Sequence, residues 1–407
     1  MLTQFSVENY RAFARQQNIE IRPLTLFFGW NSSGKSALVR FLPLLAESIR
    51  QAGPAIWLNG EVGRDATWPE LVCKTTGRSS FQFGLHWQGN QVLTASWEIA
   101  GNVANKLSGN RQFVNQVRLQ GINLEAEEYL PEDFTVKWWQ GFPERVMSID
   151  KMVTPLSQQL RENAASLLDD VQWLSGIRAP LPRLASFNDG ISTSLKADGS
   201  NVFDLLIAAQ SRSTQDPLLQ AINVFFAAMG EHLSFDNPYE DYWRVMLRPT
   251  QAPNVRVNLC DTGEGYSQVL PILVALARAT IDGPRLLCME QPELHLHTRA
   301  QAELAKVLVA TVKSPRQPQI LLETHSEVLL SSVQLAIAGG KIKPEMVRVY
   351  WVESRTDGTS DATAVDFDAM GRPNDSSLVG AFKEALDIGR KLIAIRMANT
   401  NLSNSAG

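Results

Sequence analysis

Cysteine is scarce: Cys73, Cys260 and Cys288 are the only three in 407 residues. Their separation offers no metal-binding spacing, and an odd, sparse set points to reduced, buried thiols in a cytoplasmic protein. Long apolar runs are missing too. No segment reaches eighteen uncharged apolar residues, so no membrane-spanning helix is expected. The opening MLTQFSVENYRAF lacks the basic and long apolar parts of a signal peptide. There is no basic excess either, with 38 Lys and Arg against 42 Asp and Glu and a net charge of −4. Whole-molecule attraction to nucleic acid or to an anionic membrane is therefore not expected, and nucleic-acid contact would need a local basic groove. Internal repeats and low-complexity tracts are absent, and no heptad run is sustained, which excludes a long coiled-coil arm.

What is present is an ordinary soluble composition, 44% hydrophobic and 20% charged, long enough for about two or three domains. One string stands out from it. Residues 29–36 read GWNSSGKS, a full match to G-x-x-x-x-G-K-[S/T], with the apolar LTLFF before it and the helix-compatible SALVRFL after it. Gly29 and Gly34 let the backbone amides of Trp30, Asn31, Ser32, Ser33 and Ala37 close around a polyphosphate without a Cβ in the way. The helix starting near Gly34 aims its positive dipole end at the same anion. Lys35 can reach the terminal phosphates, and the Ser36 hydroxyl can ligate Mg²⁺.

Leu2 to Val7, Asn18 to Ile21 and Leu24 to Phe28 read as short strands leading into that loop. The next helix is expected from about Gly34 to Gln51, kinked or broken near Phe41 by Pro43. FQFGLHWQ and VLTASWEIA alternate as antiparallel strands around a Gly89-Asn90 turn. The cluster Trp138, Trp139 and Phe142 reads as packing for a small domain. Residues 155–172 and 201–233 carry helical spacing. Between them WLSGIRAPLPRLASF reads as a proline-rich connection. From Val255 onward strand-like and helix-like segments alternate, the pattern of an α/β core.

That core carries three further strings. In PRLLCMEQPELHLH an apolar strand ends in Glu290, where a carboxylate could hold Mg²⁺ opposite Ser36. The next position, Gln291, can orient water but cannot accept its proton as a carboxylate would. His295 and His297 alternate without a third ligand, so structural or interface roles are expected. In DTGEGYSQVLPILVALARA a glycine-rich turn opens an apolar helix, another N-terminus free to meet an anion. In QILLETHSEVLL an apolar strand delivers His325 at its end, where α/β folds place ligand contacts.

These motifs, in this order, resemble the ABC-type ATPase heads of the RecF, SMC and overcoming-lysogenization-defect (OLD) group, and within it the standalone AAA-family ATPases of bacterial and phage-defence operons. The strings that carry the resemblance are NYRAF, GWNSSGKS, WLSGIRAP, DTGEGYSQVLP, MEQPELHLH and ETHSEVLL. It implies an α/β P-loop NTPase with an ABC-type head, a mixed sheet flanked by helices, and an inserted β-rich and helical subdomain. The implied boundaries are 1–55 and 251–395 for the head, 56–250 for the insertion and 396–407 for a flexible tail. The cofactors would be ATP and Mg²⁺. Two heads would dimerise with each ATP between the phosphate loop of one and the turn Gly263, Glu264, Gly265, Ser267 and Gln268 of the other. Gly263 stands where the group has serine, so backbone amides or Ser267 would make that contact. By position Glu290 is the metal-associated acid, Gln291 replaces the catalytic glutamate and slows hydrolysis, and His325 senses γ-phosphate. The implied function is an ATPase regulating a separately encoded effector, a nuclease, in phage defence. Alternatives are a RecF-like DNA-binding clamp, betrayed by salt-sensitive duplex binding, and a nucleotide-gated scaffold that barely turns over. Asp366-Phe367-Asp368 copies a nuclease string of OLD relatives, but Glu353 stands too close before it, so no intrinsic nuclease is expected.

Overall fold

The computed structural model describes residues 1–51, 54–89, 92–101, 112–119, 122–124, 138–139, 142–143, 155–186, 194–239, 241–378 and 390–391. In chain order the elements begin with β1 (Leu2–Glu8), β2 (Gln17–Glu20), β3 (Leu24–Gly29), α1 (Lys35–Arg50) and the single turn α2 (Trp68–Leu71). Strands β4 (Ser80–Trp87), β5 (Leu93–Gly101), β6 (Gln112–Leu119), β7 (Ile122–Leu124), β8 (Trp138–Trp139) and β9 (Phe142–Pro143) follow. Then come α3 (Pro155–Asp170), β10 (Val171–Leu174), β11 (Ala185–Ser186), α4 (Val202–Arg212), α5 (Pro217–Met229), β12 (Glu231–Tyr239), β13 (Tyr242–Pro249) and β14 (Val257–Asn258). The last stretch holds α6 (Glu264–Ile281), β15 (Leu286–Glu290), α7 (Thr298–Val312), β16 (Gln319–Glu323), α8 (Glu327–Ala338), β17 (Val347–Ser354) and β18 (Ser360–Val365).

The central sheet runs β10-β15-β16-β3-β17-β18, parallel except for β18. Every residue of β3, β15 and β16 is buried, as both-face coverage demands and as their unbroken apolar runs predict. Alternate side chains feed two cores. Leu26, Phe28, Leu287, Met289 and Leu322 join the apolar cluster with α4 to α8. Phe27, Cys288, Leu321 and Tyr350 join the cluster with α1, α3 and a second, antiparallel sheet. That second sheet, β2-β1-β4-β5-β6-β7, shows the expected alternation: Leu93, Ala95, Trp97 and Ile99 of β5 point inward, and Trp97 stacks on Phe83 at 4.9 Å. A smaller antiparallel sheet joins β11, β13 and β12, with β14 on β13.

Several expectations change. α1 continues through Pro43 without a break; its apolar face from Leu38 to Ile49 is buried, and that packing outweighs the one backbone bond proline forfeits. The supposed connection after residue 172 begins as a strand: Trp173 and Leu174 lie in β10, in parallel register with Cys288 and Met289. The 55/56 and 250/251 boundaries do not separate the sheets. β1 pairs with β4 from Gln4↔His86 to Glu8↔Gln82, and β10 places part of the expected insertion inside the central sheet. β4 and β5 pair as expected, with Trp87 opposite Leu93, although Asn90 of the turn lies outside the described residues. So do the side chains of Trp138, Trp139 and Phe142, and the 396–407 tail. The longest described helix, α6, has 18 residues, and no described helix is long and apolar enough to cross a membrane.

Candidate nucleotide site

The phosphate loop bridges the carboxyl end of β3 and the start of α1. Its glycines are fixed by contact as well as by φ. A Cβ on Gly29 (φ +151) would sit 2.0 Å from the carbonyl oxygen of Val352, and one on Gly34 (φ +99) 3.0 Å from the ring of Phe13. Phe13 closes the NYRAF turn, in which Asn9 and Arg11 take positive φ (+55 and +53) and the Asn9 amide donates to Arg78 O and Ser80 O. The turn thus seats an aromatic floor under the loop. Trp30, Asn31 and Ser32 are exposed, and Trp30 meets Trp351 edge-on at 5.9 Å. Lys35 is buried, and its ammonium donates to Gly29 O (3.1 Å) and Trp30 O (2.5 Å). Burial pulls its pKa down, partly opposed by the Glu323 carboxylate. Ser33 Oγ is buried with no hydrogen-bond partner. Ala37 lines a cavity of about 370 Å³ beside the loop, together with Tyr10, Arg11, Arg40, Arg64 and Glu70.

The ends of β15 and β16 meet this loop. Glu290 and Glu323 are register partners, both 4% exposed. Glu290 is tightly held: Oε1 accepts from Arg40 Nε (2.5 Å) and Trp173 Nε1 (2.9 Å), and Oε2 accepts from the second Arg40 nitrogen. The Arg40 guanidinium also lies over the Trp173 ring at 5.8 Å. Glu323 faces the Ser36 hydroxyl, and burial, reinforced by nearby Glu290, raises its pKa against Ser36, Lys35 and Arg40. Its Oε2 is buried without a partner.

Gln291 takes a left-handed conformation (φ +41), rare for a side chain of its kind. It is locked there by its N–H to Glu323 O (2.8 Å) and by Arg178, which donates to Glu290 O (2.7 Å) and Gln291 O (3.3 Å). Burial lowers the Arg178 pKa to about 10 against the pull of Glu293 and Glu290. Glu293 Oε1 accepts from Thr324 Oγ1 (2.8 Å) and the His325 amide (2.9 Å), while burial raises its own pKa. His325 stands half-buried next to Gly29 and Lys35, its pKa lowered by burial and by the Lys35 charge. An imidazole so placed is neutral at pH 7 and able to donate one hydrogen bond.

The DTGEG turn forms α6's N-terminus elsewhere. Glu264 is exposed, and a Cβ on Gly263 would meet nothing within 4 Å, whereas one on Gly265 would sit 2.7 Å from His295 O. Ser267 Oγ donates to Glu264 O (2.7 Å), Gln268 is partly buried, and Asp261 is paired with Arg183, which holds its carboxyl below the usual range. Among the described residues no hydrogen bond or ion pair joins residues 263–268 to the phosphate loop. The structure therefore brings Gly29 to Ala37, Glu290, Gln291 and His325 together and leaves the glycine turn apart. His297 caps α7 through the Arg299 amide, and His295 stands 3.8 Å from Glu264, so both have local roles. Asp366 is paired with Arg22 and Arg348, and Asp368 accepts from the Met370 and Arg372 amides, which accounts for the Asp-x-Asp string as a braced turn. Sequence reasoning missed Arg40, Trp173, Arg178 and Glu323. Only Glu323 left a visible signal, since QILLE ends an apolar run in an acid just as LLCME does.

A phosphate loop on β3, flanked by β16 and β17 in a mixed sheet with a second antiparallel sheet against α1, defines a P-loop NTPase with an ABC-type head. Residues 144–330 match the family model for an AAA ATPase domain, which takes in the DTGEG turn, Glu290 and His325. The fold is that of SMC head domains. One similar structure is the SMC head bound to the C-terminal winged-helix domain of ScpA, with TM-score 0.52 and 11% identity over 90% of this chain and 98% of that one. Another is the Pyrococcus furiosus SMC head with an extended coiled coil bound to the ScpA C-terminal domain, with TM-score 0.51 and 11% identity over 96% and 99%. No curated protein matches the chain. The chain carries an AAA ATPase domain match over residues 144–330 and has the fold of an SMC head.

Proposed function

We propose that this ATPase binds ATP with Mg²⁺ on residues 29–37, hydrolyses it slowly, and dimerises head to head so that the Gly263–Gln268 turn of a second copy completes each site. The observation that carries this reading is the open cradle paired with an open turn. Gly29 and Gly34 let the loop pack directly on the Val352 carbonyl and the Phe13 ring, Ser33 Oγ has no partner, and Gly263 faces free space. Each half offers amides to an anion, and among the described residues no hydrogen bond or ion pair joins the two halves. The residues fit Mg-ATP: Lys35 turns from the Gly29 and Trp30 carbonyls to the phosphates, Ser36 offers its hydroxyl to the metal, and neutral His325 donates to the γ-phosphate oxygen. The cavity beside Ala37 takes the nucleoside. Bound Mg²⁺ would offset phosphate charge and fix its geometry. Gln291 orients water without taking its proton, so turnover is slow.

The rest of the proposal is regulation of a separately encoded effector, a nuclease, in phage defence. Its support is the resemblance of the motif strings to standalone defence ATPases, together with Asp366 and Asp368, which are engaged by Arg22, Arg348 and the Met370 and Arg372 amides. The test of the composite site is mass in solution with and without Mg-ATP. A shift from one to two chains is expected; a monomer at micromolar concentration with saturating Mg-ATP would refute it.

A further inference from the structure

We propose that Glu323, and not Glu290, is the carboxylate that faces the divalent cation, and that Glu290 is an anchor for the end of β15. The inference rests on the reading that residues 29–37 hold ATP. A bidentate guanidinium occupies both oxygens of its partner and neutralises its charge, and Glu290 has that arrangement with Arg40 plus a third donor in the Trp173 indole. To take a cation, Glu290 would have to break up a buried three-residue cluster in which Arg40 also stacks on Trp173.

Glu323 is free of such ties. Its Oε2 is buried without a partner, a condition that calls for an explanation such as an ion, a water or a catalytic role. It faces the hydroxyl of Ser36, the loop residue that offers itself to the metal, and it senses the Lys35 charge. Topology favours it as well. β16 pairs directly with β3, the strand that carries the loop, whereas β15 lies one strand further out, about 4.8 Å away. The strand end is pinned on both sides, by Thr324 N–H to Phe27 O (3.1 Å) and Gln291 N–H to Glu323 O (2.8 Å). Glu290 then acts as a positioning residue, tying α1 through Arg40 and β10 through Trp173 to the turn that carries Gln291.

The experiment is equilibrium binding of a fluorescent ATP analogue in Mg²⁺ and in EDTA, with a titration of Mn²⁺ at fixed nucleotide. The unaltered chain is compared with Glu323→Gln, Glu323→Asp, Glu290→Gln and Lys35→Ala, each checked for folding by its thermal midpoint. Glu323→Gln is expected to bind the metal-free nucleotide as well as the unaltered chain does and to need about 10-fold more Mn²⁺ or beyond for half-saturation. Glu323→Asp, an acid one methylene shorter, should fall between. Glu290→Gln should lower the thermal midpoint and keep the metal response. The reverse pattern, with the metal response lost in Glu290→Gln and kept in Glu323→Gln, overturns the proposal, as does a response that survives in both. Absence of nucleotide binding in the unaltered chain, or binding indifferent to Lys35→Ala, overturns the underlying ATP reading and this proposal with it.

Discussion

Arg40→Ala probes the cluster that holds the site's architecture. The Glu290 side chain is 6% exposed and that of Arg40 20%, and the pair is bidentate. Removing Arg40 leaves the carboxylate with the Trp173 indole as its one remaining side-chain donor, and stranding a buried charge costs about 3–5 kcal/mol. The cavity of about 370 Å³ that Arg40 lines lets water reach the vacated space, which places the cost at the lower end, about 3 kcal/mol. A chain with more than one sheet need not unfold in one step, so the comparison is by thermal midpoint in EDTA without nucleotide. At roughly 2 °C per kcal/mol for a chain of this size, the midpoint should fall by about 6 °C. Pairing Arg40→Met with Glu290→Gln removes both charges, keeps an acceptor for the indole, and should bring the midpoint back to within about 2 °C of the original, since neutralising both members of a buried pair is close to free. The loss should also persist in added salt, because a buried pair is screened little. An Arg40→Ala midpoint within about 1 °C of the unaltered protein would refute this account, and so would a double variant as unstable as the two single losses summed.

Two further outcomes follow from the loop and the turn. Lys35→Ala removes the one buried ammonium at the phosphate cradle and should abolish ATP binding while leaving the far-UV spectrum unchanged; retained affinity for a fluorescent ATP analogue would sink the loop assignment. Gly29→Ala drives a methyl against the Val352 carbonyl and should cost about 2 kcal/mol or more, whereas Gly263→Ala faces open space and should cost less than about 0.5 kcal/mol. Equal losses in thermal midpoint would contradict the packing described at the two sites.

Much of the parallel core was legible because its strands are short apolar runs ending in chemistry: LTLFF before the loop, LLCME before Gln291, QILLE before His325. The both-face burial of β3, β15 and β16 leaves no alternation to confuse, and the punctuating residues are those of the motifs. What was not legible depends on contacts distant in sequence. VQWL carries too few residues to announce a strand, and becomes β10 only because β15 offers it an edge. Pro43 reads locally as a breaker, and is overruled by packing that no local pattern contains. Arg40 looks like any exposed helix cation until Glu290, 250 positions later, meets it. Glu323 sat in plain view in ETHS, and its meaning came from the neighbour that β16 keeps.

The order in which the central sheet is assembled has a consequence for synthesis. The strand that carries the phosphate loop pairs on one side with residues 320–323 and on the other with residues 347–352. As the chain leaves the ribosome, residues 24–29 wait for roughly three hundred more before either neighbour exists, and contacts of that span form late. Nascent chains shorter than about 350 residues would leave at least one edge of this strand unpaired, the kind of edge that aggregates or recruits chaperones. The first motif to be translated is thus among the last to gain both of its strand neighbours.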